Sequence, residues 1–219
     1  MFWYVFFKNL FKYTATLKQR NALLKNNTND TSLHAWDEKL AEFGTNVSKQ
    51  KKVFNEKLQI CLKKTTNLYN QSGVDLVLET EEKTNNKERF LEQLIRARKK
   101  DMITKRTSVG PHKDTSTFLF NGKNLRDFGS QGEHKISLVL IKLAEYMFVC
   151  EEKRKTPVLL LDDLFAKLDF KRSDAVLELL NKKTQTIITN TDLVDIKNHG
   201  VNLKDPNNHA FYLERPCKN

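Results

Sequence analysis

The chain has 219 residues, of which 39% are apolar and 10% aromatic, enough for a real hydrophobic core and for placement among globular proteins. Its three cysteines, Cys61, Cys150 and Cys217, are odd in number and include no C-x-x-C pair, so neither a disulfide framework nor a zinc site is indicated, and a cytoplasmic setting is expected. The net charge of +11 is uneven: residues 1–110 carry 21 Lys and Arg against 12 Asp and Glu, whereas residues 111–219 carry 17 against 15. A positive field suits phosphate backbones, yet lysines also solvate helix faces, and charge alone leaves both readings open.

The opening MFWYVFFKNLF is strongly apolar but much shorter than the roughly 20 residues that span a bilayer, and it lacks the marks of a signal peptide. It reads as buried helix surface, not a membrane anchor. Phe7, Leu10, Thr14, Leu17, Asn21 and Leu24 then recur at spacings of three and four, and the rhythm returns at Leu33, Trp36, Leu40, Phe43 and Val47, then at Phe54, Leu58 and Cys61. The polar cluster at 26–32 separates the two runs, which predicts an antiparallel helical hairpin. A projecting arm and an ordinary packed pair both fit that pattern. Gly44 interrupts the second helix at a cost of about 1 kcal/mol relative to Ala.

Beyond Gly73, residues 75–80 alternate as a strand and residues 86–100 read as a basic amphipathic helix bearing Arg96, Arg98, Lys99 and Lys100, the candidates for contact with nucleic acid. The block RTSVGPHKD (106–114) follows, then strands around an Asn121-Gly122 hairpin turn. A long helix over 132–152 places Ile136, Leu140, Leu143, Ala144 and Met147 on its core face. Residues 158–161 form a continuously apolar strand, 172–182 a helix and 186–189 a second buried strand, an order that argues for a parallel sheet. The chain divides by composition into a helical arm, 1–72, and an α/β portion, 73–219.

The chemistry concentrates where the first of these strands ends in Asp162 and Asp163, with Leu168-Asp169 shortly after. An apolar strand opening into adjacent carboxylates is how a parallel sheet presents acids to a hard cation and a water, Asp162 holding Mg²⁺ and Asp163 orienting or deprotonating the water. Two acids after a strand can also merely cap a turn. Ser130-Gln131-Gly132-Glu133 has the S-x-x-E form of a capping box, and its serine and glycine amide also suit an anion. None of the seven glycines opens a G-x-x-x-x-G-K-[ST] loop, so this sequence carries no phosphate cradle of that kind. His112 and His134 lack partners at zinc spacing.

The blocks LKQRNALLK (17–25), WDEKLAEFG (36–44), TSVGPHKD (107–114), FGSQGEHK (128–135), IKLAE (141–145) and LLLDDLFAKLD (159–169) closely resemble the RecF family of bacterial DNA replication and repair proteins. They run in the family's order and look like its C-terminal portion, without the N-terminal half that bears the Walker A loop. The resemblance implies an ABC-type ATPase head related to the structural-maintenance-of-chromosomes proteins, plus an α-helical hairpin lobe. It implies Walker B acids at Asp162 and Asp163, a D-loop at Leu168 and Asp169, and a switch at Thr189, Asn190 and Thr191. Ser130, Gln131 and Gly132 match the signature that contacts the partner protomer's nucleotide, although Glu133-His134-Lys135 stands where the family usually has Gln-Gln-Arg.

Further implied are ATP and Mg²⁺, homodimerisation on ATP, and binding to DNA at gaps and single-strand/double-strand junctions. RecR and RecO are the implied partners in loading the recombinase. A chain of this kind is expected to be inactive in ATP turnover without a Walker A half, whether the gene is truncated or split. Two other functions fit the residues: a non-enzymatic basic DNA-binding or adaptor module, and a metal-dependent nuclease using Asp162, Asp163 and Asp169.

Overall fold

The computed structural model describes residues 2–26, 30–69, 73–81, 84, 86–163, 170–180, 184–190, 201 and 204–213. Contacts divide the chain into two interleaved units, residues 1–59 with 78–118 and residues 60–77 with 119–219. The helix after the first strand and the TSVGPHKD block therefore pack with the helical hairpin, a grouping that the division of the chain at residue 72 does not make.

The hairpin consists of α1 (Phe2–Lys25) and α2 (Asp30–Leu68). As numbers rise along α1 its partners fall along α2: the Trp3 ring meets Phe54, Asn9 Nδ2 donates to Gln50 Oε1 at 3.3 Å, and Arg20 meets Asp37. The pair is thus antiparallel, as the polar turn predicted. The seam on α2 is the expected one, with Leu33, Leu40, Val47, Leu58 and Cys61 all buried.

On α1 the expected seam holds in part: Leu24 is buried and Leu10 and Leu17 pack against the core, but Phe7 is 59% exposed and Thr14 is exposed, while Tyr13, Thr16 and Arg20 are buried beside them. The pattern misled because Tyr13 and Arg20 carry polar heads, which a purely apolar periodicity discounts, and here each head is paired. Strand β1 (Leu76–Thr80) and α3 (Lys87–Thr104) follow, the helix capped by Asn86, whose side chain accepts from the Arg89 amide. Phe90 and Leu94 of α3 join Tyr13, Leu40, Ala41 and Val47 in one core.

Gly44 sits where α2 meets α3: a Cβ there would lie 2.5 Å from Phe90 Cε1 and 3.1 Å from Tyr13 Cε2. The glycine that weakens the helix as a helix is therefore required by the buried Phe90 ring.

A buried polar network unites the hairpin with α3 and the TSVGPHKD block. Arg20, 0% exposed, donates through Nε to Asp37 at 2.6 Å and through Nη1 to Asp101 at 2.8 Å and Thr107 Oγ1 at 2.9 Å. Arg98 Nε donates to the second Asp37 oxygen at 2.8 Å, so two guanidinium groups face two carboxylates. The Ser108 amide donates to Asp101 at 2.9 Å, and Asn21 Oδ1 accepts from both the amide and the hydroxyl of Thr107 at 2.8 Å. Gly110 adopts φ +133, leading into a 3-10 turn over Pro111–Lys113.

That turn presents His112 Nε2 to the Thr107 carbonyl at 3.2 Å and Nδ1 to the Tyr13 hydroxyl at 2.5 Å. A carbonyl only accepts, so Nε2 bears the proton and Nδ1 accepts from Tyr13. Burial pushes the Tyr13 hydroxyl's pKa up and the His112 imidazole's down, which preserves this neutral pair.

The other unit, residues 60–77 with 119–219, carries the parallel strand pair. Strand β2 (Ser116–Phe120) pairs antiparallel with β3 (Lys123–Asn124) through Asn121 and Gly122, both at positive φ, the two-residue turn that Asn-Gly favours. A three-stranded sheet results in the order β1-β2-β3. After α4 (Leu125–Phe128) comes α5 (Gln131–Lys153), whose Ile136, Leu140, Leu143 and Ala144 are buried as expected, with Met147 half-buried.

Strand β4 (Leu159–Leu161) pairs parallel with β5 (Thr186–Ile188), and α6 (Phe170–Leu179) lies between them in sequence. Parallel pairing is as predicted, but uniform burial is not. Leu159 and Leu161 are buried whereas Leu160 is 66% exposed, and Val158 and Ile187 are exposed as well. One face of this pair packs within the fold and the other meets water, so the strand alternates.

Three outcomes test this description. Gly44→Ala should destabilise: overpacking against Phe90 costs about 1–3 kcal/mol, more than the roughly 1 kcal/mol that the helix gains, and denaturant melts will show the sign. Arg20→Met should cost about 3–5 kcal/mol by leaving Asp37 and Asp101 buried without it.

In the unfolded chain His112 titrates near 6.5, and in the fold lower. Below that value the unfolded state binds a proton that the folded state refuses. Stability should therefore decline as pH falls through 6.5 toward the depressed value, and thermal melts of His112→Asn should show a shallower decline.

Candidate nucleotide site

The parallel register that sets Leu161 opposite Ile188 delivers the residues after both strands to one place. The Thr189 amide donates to the Leu161 carbonyl at 3.0 Å, extending the ladder by one step. The Thr189 hydroxyl then donates to Asp162 Oδ1 and accepts from the Asp163 amide, the latter at 3.2 Å. One hydroxyl thereby holds both acids of the pair. Asp162 is exposed and Asp163 is half-buried.

Asp163 has φ +48, a left-handed conformation that costs a non-glycine residue about 1 kcal/mol or more. Its carbonyl accepts from Lys135 Nζ at 2.5 Å, so a side chain of α5 grips the strained turn. The start of α5 and the end of β4 are thus brought together. The sequence named Lys135 only as a departure from the family's signature and gave it no role at the acid pair. Its signal is slight: a half-buried lysine just before the buried face begins at Ile136.

At the start of α5, Ser130 Oγ accepts from the Glu133 amide at 3.3 Å, and the Ser130 amide donates to Glu133 Oε2 at 2.8 Å, completing the capping box. Those bonds hold the Glu133 carboxyl below the usual carboxylate range, with Arg172 of α6 adding to the effect. The box uses the amides of Ser130 and Glu133 and leaves those of Gln131 and Gly132 as first-turn donors. Ser130 and Gln131 are exposed. The glutamate in place of glutamine is therefore turned back onto its own helix, beside an arginine.

Leu168, Asp169 and Thr191 lie outside the described residues, and Asn190 follows Thr189 directly. Of the basic candidates on α3, Arg96, Lys99 and Lys100 are exposed, Arg96 beside Glu92 at 3.7 Å. Arg98 is not a surface cation: it is 15% exposed and bound to Asp37, because it faces the hairpin. His112 serves the buried network and His134 is exposed.

Oxygen donors at the end of β4 suit Mg²⁺, which takes one or two carboxylates together with phosphate oxygens. Among the described residues no three His, Cys, Asp or Glu side chains gather as a metal cage. No helix among the described residues is long and apolar enough to cross a membrane.

No protein-family model matches the chain. It is 38% identical over 203 residues to the DNA replication and repair protein RecF of Lactococcus lactis subsp. cremoris MG1363, covering 91% of this chain and 56% of that relative. It is 37% identical over 194 residues to the RecF of Agathobacter rectalis, covering 86% and 53%. A solved structure of the recombination mediator protein RecF with ATP, in the RecFOR pathway, superposes with a TM-score of 0.72 at 29% identity, over 86% of this chain and 53% of that one. A second, with ATPrS, gives 0.71.

The chain spans about half the length of the curated relatives it matches. Its mixed helices and strands with a parallel pair are those of a partial ABC-ATPase-like fold. By sequence and by fold alike, the chain belongs to the RecF family, of whose members it matches the C-terminal portion.

Proposed function

We propose that this chain supplies the signature, acid-pair and switch elements of a RecF-type ATPase that binds DNA at single-strand gaps, in the cytoplasm, with RecR and RecO as partners. The observation that carries the reading is the convergence of Asp162, Asp163, Thr189 and Lys135 at the end of one parallel strand pair. Asp162 offers Oδ2 to a magnesium ion, and Asp163 orients the attacking water. Thr189 fixes the carboxylate that it bonds and is placed to register what occupies the site. Ser130, with the amides of Gln131 and Gly132, faces the nucleotide of a second protomer in an ATP-dependent dimer. When bound, Mg²⁺-ATP supplies the phosphoryl group to be transferred and the cation that offsets its charge.

The Walker A cradle must come from residues other than these 219, and the proposal divides the labour between a helical arm, 1–72, and a head portion, 73–219. Leu168, Asp169, Asn190 and Thr191 belong to it as D-loop and switch.

A second reading, a DNA-binding adaptor without ATP turnover, is favoured by the basic excess of residues 1–110 and by Arg96, Lys99 and Lys100 exposed along α3. The two readings separate by titration. Alone, the chain should bind ATP negligibly in calorimetry. With a separately produced Walker A half from a RecF relative, Mg²⁺-dependent binding should appear and weaken on the order of tenfold or more in Asp162→Asn. Failure of any complement to confer binding counts against the ATPase reading. Salt-sensitive DNA binding without nucleotide, reduced by charge reversal at Arg96, Lys99 and Lys100, favours the adaptor.

A further inference from the structure

Helix α1 carries five basic residues and no Asp or Glu. Its inner stripe is spent on the core. On the outer side Tyr4 is 73% exposed, Phe7 59% and Phe11 75%, while Lys8 and Lys18 are exposed too. Positions 4, 7, 8 and 11 are neighbours on one helix surface, so the rings and the ammonium groups share a face. Three large aromatics in water are costly to maintain, and the middle one, Phe7, is held in place from beneath. The Trp3 ring stacks on Phe7 at 6.0 Å, Phe6 meets Phe7 edge-on at 5.8 Å, and Trp3 is itself wedged against Phe54 at 5.8 Å. Phe7 is thereby pre-set with its outer side open.

We infer that this outer face of α1 is a stacking platform for unpaired nucleic-acid bases, with its lysines on the phosphates. The inference rests on the nucleic-acid reading above and adds where, and to which form, the chain binds. Rings interleaved with cations are the composition of a single-strand site, because every unpaired base has a π-face and every nucleotide a negative charge. A duplex hides those faces. The span from Tyr4 to Phe11 is roughly 10 Å along the helix axis, room for a few bases. An interfacial membrane helix segregates its apolar and cationic sides. Here the opposite side is used by the core, and inserting the rings would carry Lys8 in with them.

The test is fluorescence anisotropy with the full chain, without nucleotide, on a labelled oligothymidylate, on an abasic strand of equal length and on a duplex. Wild type should prefer the oligothymidylate. Tyr4→Ser combined with Phe11→Ser, two exposed sites whose change should leave the thermal melt in place, should weaken that binding on the order of tenfold to a hundredfold. The same pair of substitutions should leave abasic-strand binding unaltered.

Equal binding of oligothymidylate by wild type and variant overturns the platform while leaving DNA binding intact. Equal losses on both strands overturn it as well, since stacking would not be the cause. No binding of any strand by wild type removes the nucleic-acid reading itself. Loss of binding to phosphatidylglycerol vesicles with oligothymidylate binding unchanged assigns the face to a membrane surface instead.

Discussion

The burial of Arg20 is the constraint from which the helical unit follows. A guanidinium removed from water is tolerable only when its charge is answered, and two aspartates and a threonine, drawn from α2, α3 and the segment after it, engage its Nε and Nη1. Each of those carboxylates is in turn engaged, Asp37 by Arg98 and Asp101 by the Ser108 amide. Charge is therefore balanced inside the unit, and the geometry of a planar, forked donor fixes how four chain segments meet. Apolar packing by itself would allow the helices to slide by a turn, whereas this network does not.

That network also joins three separated blocks of sequence. LKQRNALLK contributes Arg20 and Asn21, WDEKLAEFG contributes Asp37 and Gly44, and TSVGPHKD contributes Thr107, Ser108, Gly110 and His112. As a sequence each block looks like a functional motif. In the fold they are largely one structural joint.

The helices, the Asn-Gly hairpin and the parallel strand pair were legible because each is specified locally, by periodicity, caps or turn chemistry. The acid pair was legible because an apolar run ending in two aspartates is unusual. Three things were not. The stripe on α1 was only partly placed, since a buried arginine and tyrosine look polar until their partners are known. Arg98 was counted with the surface cations for the same reason. The contact of Lys135 was missed because it depends on a turn 28 residues away, in a left-handed conformation that no sequence pattern announces.

The alternation of β4 has a thermodynamic side. Leu160, Val158 and Ile187 are left in water by these residues, and apolar area costs about 25 cal/mol per Å² for as long as it stays wet. Whatever polypeptide comes to lie over them recovers that free energy, so its association and the melting of this unit are linked by mass action. The stability measured for the strand-bearing unit is then a function of ligand activity, not a constant of the chain. A denaturation midpoint quoted without the concentration of the covering species describes one point on a curve.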